Sequence, residues 1–519
     1  MGDIIDIISI SYEFFTIRVN IEVEIVKFQV FKDGKVAKDF VPTGVTLFGS
    51  DKIPFRSTKY ITFNAGIIDC KTRGSEPAGL CLLWPVENFG NVMLYTTRLP
   101  DREQPYILNV ELARAKLMEI TIKREDWSIF EQKNELGNQI ADIQKLFIQT
   151  LENISEPEKA SASADKCLAK AMKFSELLAT KYADLLFDTR LKGRGFARSS
   201  LGCKIEPDKL NNENYLKGAF ELFAHISIPI NWAKIEIVKG QYDFTELDAT
   251  IETLGKKRIL LCAGPLLCFD EKCLPGWLVN GKTDFETIRE ASYEFVSRVV
   301  TRYTKYVHIW QVISGLNAYN CFKFSFERVL EITRTACLAA READNRSLKM
   351  IEIVYPWGEY YAYNSDTIPP LVYIDMVTQA GINYDALGLQ MVFGKDVPGM
   401  HIRDMMQISA MLDKFSPLPK PLHITAFGVP DTNKAENQQA ETAGLWYKPW
   451  DQTLQAKWIE DFSKIALSKS YVNTITYAAL ADNGSNAVVG SGLLTENFQP
   501  KKAFMSLAKL QRKLLQKNG

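Results

Sequence analysis

The chain has 519 residues, with 62 basic and 62 acidic side chains and therefore no formal net charge. Neutrality argues against a nucleic-acid partner, which needs a basic footprint, and no apolar run reaches the ~18 residues of a membrane span. The length exceeds one ordinary core, so two domains, or a large barrel with an appended module, are expected.

The N-terminus, MGDIIDIISISYEFF, has no positive leading region and carries Asp3 and Asp6, so it does not read as a secretory signal. Nine cysteines, an odd number without paired spacing, fit reduced thiols better than a disulfide framework. Together these features predict a cytoplasmic setting.

Residues 1–118 read as short β-runs broken by turns. FFTIRVNIEVEIVKFQVF alternates, KDGK at 32–35 is a hairpin turn, and KYITFNAGII and NVMLYTTRL follow. A β-sandwich-like domain of ~100 residues is the expectation. Residues 119–190 read as a helical hairpin, broken at Ser155-Glu156-Pro157. In its first limb Ile140, Ile143, Phe147 and Leu151 recur at helical spacing. Such a hairpin either packs the domains together or forms the seam of a homo-oligomer.

From residue 191 to 519 strand and helix patterns alternate eight times, the signature of a (β/α)8 barrel. The strands fall at SLGCKI, AHISIPI, RILLCA, VHIWQVI, MIEIVY, ALGLQMV, HITAFGV and TITYAAL. The fold class is therefore α/β: a C-terminal barrel behind a β-rich domain and a helical connector.

Several motifs in this last region stand in a recognisable order. They are INWAKIEIVKGQYDFTELD (230–248), LPGWL (274–278), HIWQVISGLNA (308–318), GLQ (388–390), LHITAFGVPD (422–431) and GLLTENFQPKKAF (492–504). Over 201–510 this order resembles family-10 glycoside hydrolases, the β-1,4-xylanase family. That family's block Lys-Trp…Glu-Pro…Gly-x-Phe-x-Phe…Asp is kept here as Trp232, Glu236, Gly240, Phe244 and Asp248.

In that family the fourth strand ends in Trp-Asp-Val-Val-Asn-Glu, with the acid/base, and the seventh in Thr-Glu-Leu-Asp, with the nucleophile. The resemblance puts Gly315 and Ala426 at those positions. Retaining hydrolysis needs two carboxyl groups about 5 Å apart, and glycine and alanine supply neither. The sugar-gripping positions differ as well. Pro265 and Phe269 replace histidines, Asn231 a lysine, Ser314 an asparagine, Val392 a histidine and Ala478 a tryptophan.

Relocated carboxylates are sought at the C-terminal ends of strands, where barrel sites lie. Glu359, in YPWGEYY, and Asp431 are the alternative catalytic candidates; Asp270 and Asp482 also lie beyond strand ends. Trp232, Gln390, Trp357, Tyr360, Tyr361 and Asp482 are the candidate substrate-binding residues, with an open, more apolar cleft at the mouth. No cofactor is expected. No metal site is expected either, because the four histidines, at 225, 308, 401 and 423, lack ligand spacing. Three readings follow. The first is a catalytically degenerate pseudoenzyme that recognises an oligosaccharide or polysaccharide or is structural. The second is a hydrolase of changed specificity, and the third a scaffold assembling through the hairpin.

Overall fold

The computed structural model describes residues 23–56, 61–73, 76–127, 134–257, 259–281, 283–432, 438–484 and 486–515. The first part of the FFTIRVNIEVEIVKFQVF run lies outside them.

The N-terminal region forms one four-stranded sheet and three strands of a second. In the first, β1 (Val23–Gln29) pairs antiparallel with β4 (Ile67–Arg73), which pairs with β3 (Ile61–Asn64). The short β7 (Tyr106–Ile107) joins the other edge of β1 in parallel. The KDGK turn closes a two-residue ladder, with both Asp33 and Gly34 in the left-handed region that such hairpin turns demand. The second sheet holds β2 (Thr46–Phe48), β5 (Gly79–Val86) and β6 (Gly90–Tyr95).

β5, GLCLLWPV, is buried nearly throughout, instead of alternating as a half-exposed strand would. Leu80, Leu82 and Trp84 enter the main core, and Cys81 and Leu83 join Phe48 and Met93 in a separate cluster on the other face. The sheet is covered on both sides because the barrel packs on its second face. Met93 N–H donates to Ile402 O at 2.9 Å, and a strand from a barrel loop, Leu445–Trp446, pairs antiparallel with β6.

The helical region begins at Leu108, so its first helix crosses position 118, and among the described residues it holds α1 (Leu108–Asp126), α2 (Asn134–Glu152) and α3 (Pro157–Lys192). Proline at the first turn of α3 fits because its missing N–H has no helical partner there. At 36 residues α3 is ~54 Å long. It packs on α1 and α2 and against two barrel helices, so its role here is packing within the chain.

The barrel strands are β8 (Leu201–Lys204), β9 (His225–Ile228), β10 (Leu260–Ala263), β11 (Ile309–Ser314), β12 (Leu348–Ile353), β13 (Ala386–Val392), β14 (Leu422–Gly428) and β15 (Val472–Tyr477). All pair in parallel, and contacts between β8 and β15 and between β10 and β11 close the ring. The helices between them are α4 (Glu213–Leu222), α5 (Thr245–Gly255), α6 (Phe285–Tyr303), α7 (Phe326–Ala343), α8 (Pro370–Gln379), α9 (Met405–Asp413), α10 (Gln452–Ser468) and α11 (Lys502–Leu515). Their starts are written locally. Asp284, Ser325, Asp404 and Asp451 each accept a hydrogen bond from a first-turn N–H of the helix that follows. No described helix is long and apolar enough to cross a membrane.

Candidate functional site

The C-terminal mouth of the barrel is where the chemistry of such a fold resides. Gly315 directly follows β11 and Ala426 lies within β14. Register puts Ala426 about one step beyond the level of Gly315. Ser314 pairs with Glu352 and Ile353 with Leu389, and Gln390 then pairs with Ala426. Both positions are at the mouth, and both are buried.

Gly315 has φ 64°, in the left-handed region, where a side chain is strained. A Cβ there would lie 2.5 Å from Tyr319 Cδ2 and 3.1 Å from Val354 Cγ2. Tyr319 lies over this corner, and its hydroxyl hydrogen-bonds that of Tyr355 at 2.9 Å. Burial pushes both phenols above their ordinary range. On the opposite side Ala426 belongs to an apolar cluster with Val392, Met400 and Val488, against which Tyr355 and Ala478 pack. Three positions where the family resemblance implies a nucleophile, a histidine and a tryptophan thus form one aliphatic patch, roofed by loop residues.

Beneath this roof lies a carboxylate that the motif reading does not single out. Glu352, on β12, accepts hydrogen bonds from Ser314 Oγ on β11 and Thr425 Oγ1 on β14. Reaching both requires it to point into the lumen and pass Gly388 of β13, where a Cβ would stand 2.8 Å from Thr425 Cγ2. The sequence signal was a lone acid in the apolar run MIEIVY. Its two hydroxyl partners adjoin Gly315 and Ala426. It is one carboxylate, 2% exposed, with one hydroxyl hydrogen bond to each oxygen.

The candidate residues separate into different places. Glu359 is buried in an ion pair with Arg403, whose Nη1 donates to Tyr95 OH of β6 at 2.7 Å. It therefore belongs to the junction between the barrel and the N-terminal sheets. Trp357 stacks on the same guanidinium, 4.2 Å from ring centroid to Cζ. Tyr361 lies under Arg56 at 4.6 Å, and Tyr360 OH donates to Ile368 O at 2.7 Å and accepts from Asn317 Nδ2 at 2.5 Å. An open cleft walled by these aromatics is not what forms. They are consumed in packing between loops and modules.

Asp431 and Asp482 do come together, because Lys501 pairs with both, at 3.0 Å to Asp431. Burial pushes the Asp431 carboxyl up, against the pull of Lys501. Asp482 also accepts from Gly492 N–H at 2.7 Å, which ties the last barrel loop to the QPKK segment. Asp270 accepts from Lys272 N–H and caps a short turn. Gln390 is half-buried beside Ala426.

Trp232 is a core residue: it stacks on Phe295 with centroids 4.7 Å apart, and its Nε1 donates to Glu236 Oε2 at 2.7 Å. Glu236 Oε1 takes Gly240 N–H at 2.8 Å, and its carbonyl takes Trp277 Nε1 at 3.1 Å. Nearby, Asp248 holds Arg302 and Tyr303. The family block is therefore a bonded corner of the barrel. Among the described residues no group of three or more His, Cys, Asp or Glu side chains could hold a metal ion.

Comparison with known proteins places this geometry. Residues 195–510 match the family described as glycosyl hydrolase family 10. Among solved structures, native xylanase 10B from Thermotoga maritima is 18% identical, with 61% of this chain and 96% of that chain covered and a TM-score of 0.46. A family-10 protein from Paenibacillus barcinonensis is 16% identical, with 62% and 97% covered and a TM-score of 0.48. At such identity the likeness concerns the fold alone. No curated protein matches the chain. The family match spans more than half the sequence and coincides with the closed eight-stranded barrel, and this chain accordingly belongs to glycosyl hydrolase family 10.

Proposed function

We propose that this chain is a non-hydrolytic member of its family, a pseudoenzyme whose barrel serves as a structural body. The observation that carries this reading is the roofed mouth. Gly315 and Ala426 are buried under Tyr319, Tyr355, Met400 and Val488, and Glu352 is the one acid bonded beside them. A two-step displacement needs both an acid and a nucleophile around a sugar ring, and here neither the second carboxylate nor the room supports it. The alternative carboxylates, Glu359 and Asp431, are held by Arg403 and Lys501 in separate ion pairs. The nine cysteines are all free thiols, which supports a reducing, cytoplasm-like setting.

Turnover of xylan and of an aryl xylobioside by purified protein tests this, together with calorimetric titration of xylohexaose. The expected result is no turnover and no heat of binding attributable to the mouth. Turnover that disappears in Glu352→Gln or Glu359→Gln would overturn it and install a hydrolase with relocated acids.

A further inference from the structure

A cavity of about 450 Å³ lies where β6, α1 and α9 meet, at the junction of the N-terminal sheets, the helical region and the barrel. That size lies within the range of small-molecule sites. Its apolar wall comes from Phe48, Leu94, Leu112, Met118 and Ile122. Met118 and Ile122 are 55% and 49% exposed, one turn apart on α1, and they face this hollow instead of a core. Two large side chains left open on one helical stripe are apolar surface awaiting cover.

The charged lining is mostly basic, with Lys52, Arg98, Lys116 and Lys123 against Glu119, and Lys123 is paired with Asp126 and Asp413. Lys116 is tied to Asp404 at 3.0 Å and Glu119 at 2.9 Å, so that group is internally balanced. Lys52 and Arg98 also line the cavity and are exposed, and neither enters an ion pair among the described residues. Lys52 Nζ sits 4.8 Å above the Tyr95 ring, which holds its charge at the rim. The buried Thr97 hydroxyl, also on the lining, has no hydrogen-bond partner. A second, smaller hollow continues past Tyr95, sharing Lys52, Glu119 and Gln407, and is lined by Pro54, Trp357, Pro370 and Met411. The shape is an apolar passage entered beside two exposed cations that form no direct ion pair among the described residues.

We propose that this junction binds an amphipathic carboxylate with an acyl tail, its head on Lys52 and Arg98 and its tail along Met118, Ile122 and Leu94. A sugar would need many hydrogen-bonding groups where this wall offers aliphatic carbon, and a neutral lipid would leave the two cations unanswered. The occupant would touch all three parts of the chain, so its binding energy would add to their association. This inference does not rest on whether the barrel hydrolyses anything.

The test uses full-length protein and decanoate below its micelle concentration, followed by calorimetry and by thermal midpoint. Binding of decanoate with a raised midpoint is expected, weakened at least tenfold in the double variant Lys52→Gln/Arg98→Gln and abolished in Ala115→Trp, which fills the cavity from α1. If Ala115→Trp does not fold, the double variant, at two exposed positions, still decides. Three results would overturn the proposal: no decanoate binding, equal affinity for decanol, or unchanged affinity in the double variant. Displacement of decanoate by xylohexaose would also overturn it, by making this a sugar site.

Discussion

Two corners of one barrel have been treated differently. At Trp232, Glu236, Gly240 and Trp277 every polar group has a partner, and the residues are those the family block requires. At the mouth, Val392, Ala426, Ala478, Met400 and Val488 form a patch with few polar groups to satisfy. The first corner is held by directed hydrogen bonds and the mouth by apolar packing, so the residues of the family block stand where side chains bear on stability. Replacing a polar pocket by aliphatic residues removes the desolvation penalties of groups kept ready for a ligand. The mouth can then be stable without being reactive.

The contrast breaks most visibly if chemistry is forced back into the mouth. Gly315→Glu with Ala426→Glu should give no xylan hydrolysis and should lower stability by at least about 4 kcal/mol, because buried charges without partners are strongly destabilising. Urea unfolding beside a reducing-sugar assay reads both. Hydrolysis at undiminished stability would mean the roof opens and the comparison is mistaken.

The bonded corner should be the next most sensitive. Glu236→Ala leaves Trp232 Nε1 and the Gly240 N–H unpaired, with an expected loss of about 3 kcal/mol. A loss below about 1 kcal/mol would show that the corner is kept for some other reason.

Acid offers a third probe, directed at the strand starts below the mouth. Burial pushes His225 down to about 3, helped by the neighbouring His423, and pushes His423 itself down to about 4. An unfolded histidine titrates near 6.5, so below that pH the unfolded chain takes up protons that the folded chain refuses, and stability falls. At pH 5.5 this amounts to about 1.4 kcal/mol for each histidine. Glu176 and Glu206, pushed up by burial to about 8 and about 7, act in the opposite sense. The readout is therefore a variant comparison: in His225→Asn the stability difference between pH 7.5 and 5.5 should shrink relative to the parent. An unchanged difference would remove His225 from the account.

The baseline for all three is a surface pair. Arg298→Ala breaks an exposed contact of 2.6 Å with Glu294 on α6, and less than about 0.5 kcal/mol should be lost.

The eight strands could be read from the chain because their signals are local: apolar runs mark parallel strands. The mouth was half legible. Val392, Ala426 and Ala478 announce a loss of polarity, but Met400 and Val488, which close over them, come from loops with no pattern of their own. Glu352 was invisible as a bridge, since its reach to Thr425 depends on Gly388 standing between them after the ring closes. Trp357 and Glu359 misled for the same reason. An acid among aromatics resembles a sugar platform until Arg403, 44 positions further on, is seen to occupy both. The unbroken apolar run GLCLLWPV was the available hint that both faces of that sheet are covered.

The short pairing of Leu445–Trp446 with Asn91 and Gly90 has a consequence for how such a chain can change over evolutionary time. The barrel lends the outermost strand of the second sheet. Removing the barrel would strip β6, rich in apolar residues, of one neighbour and leave an open edge of the kind that templates aggregation. Gene fragments encoding the two parts cannot then be shuffled independently among relatives. A foreign barrel would have to bring a matching loop of the right length, so the sheets and the barrel are inherited as one piece.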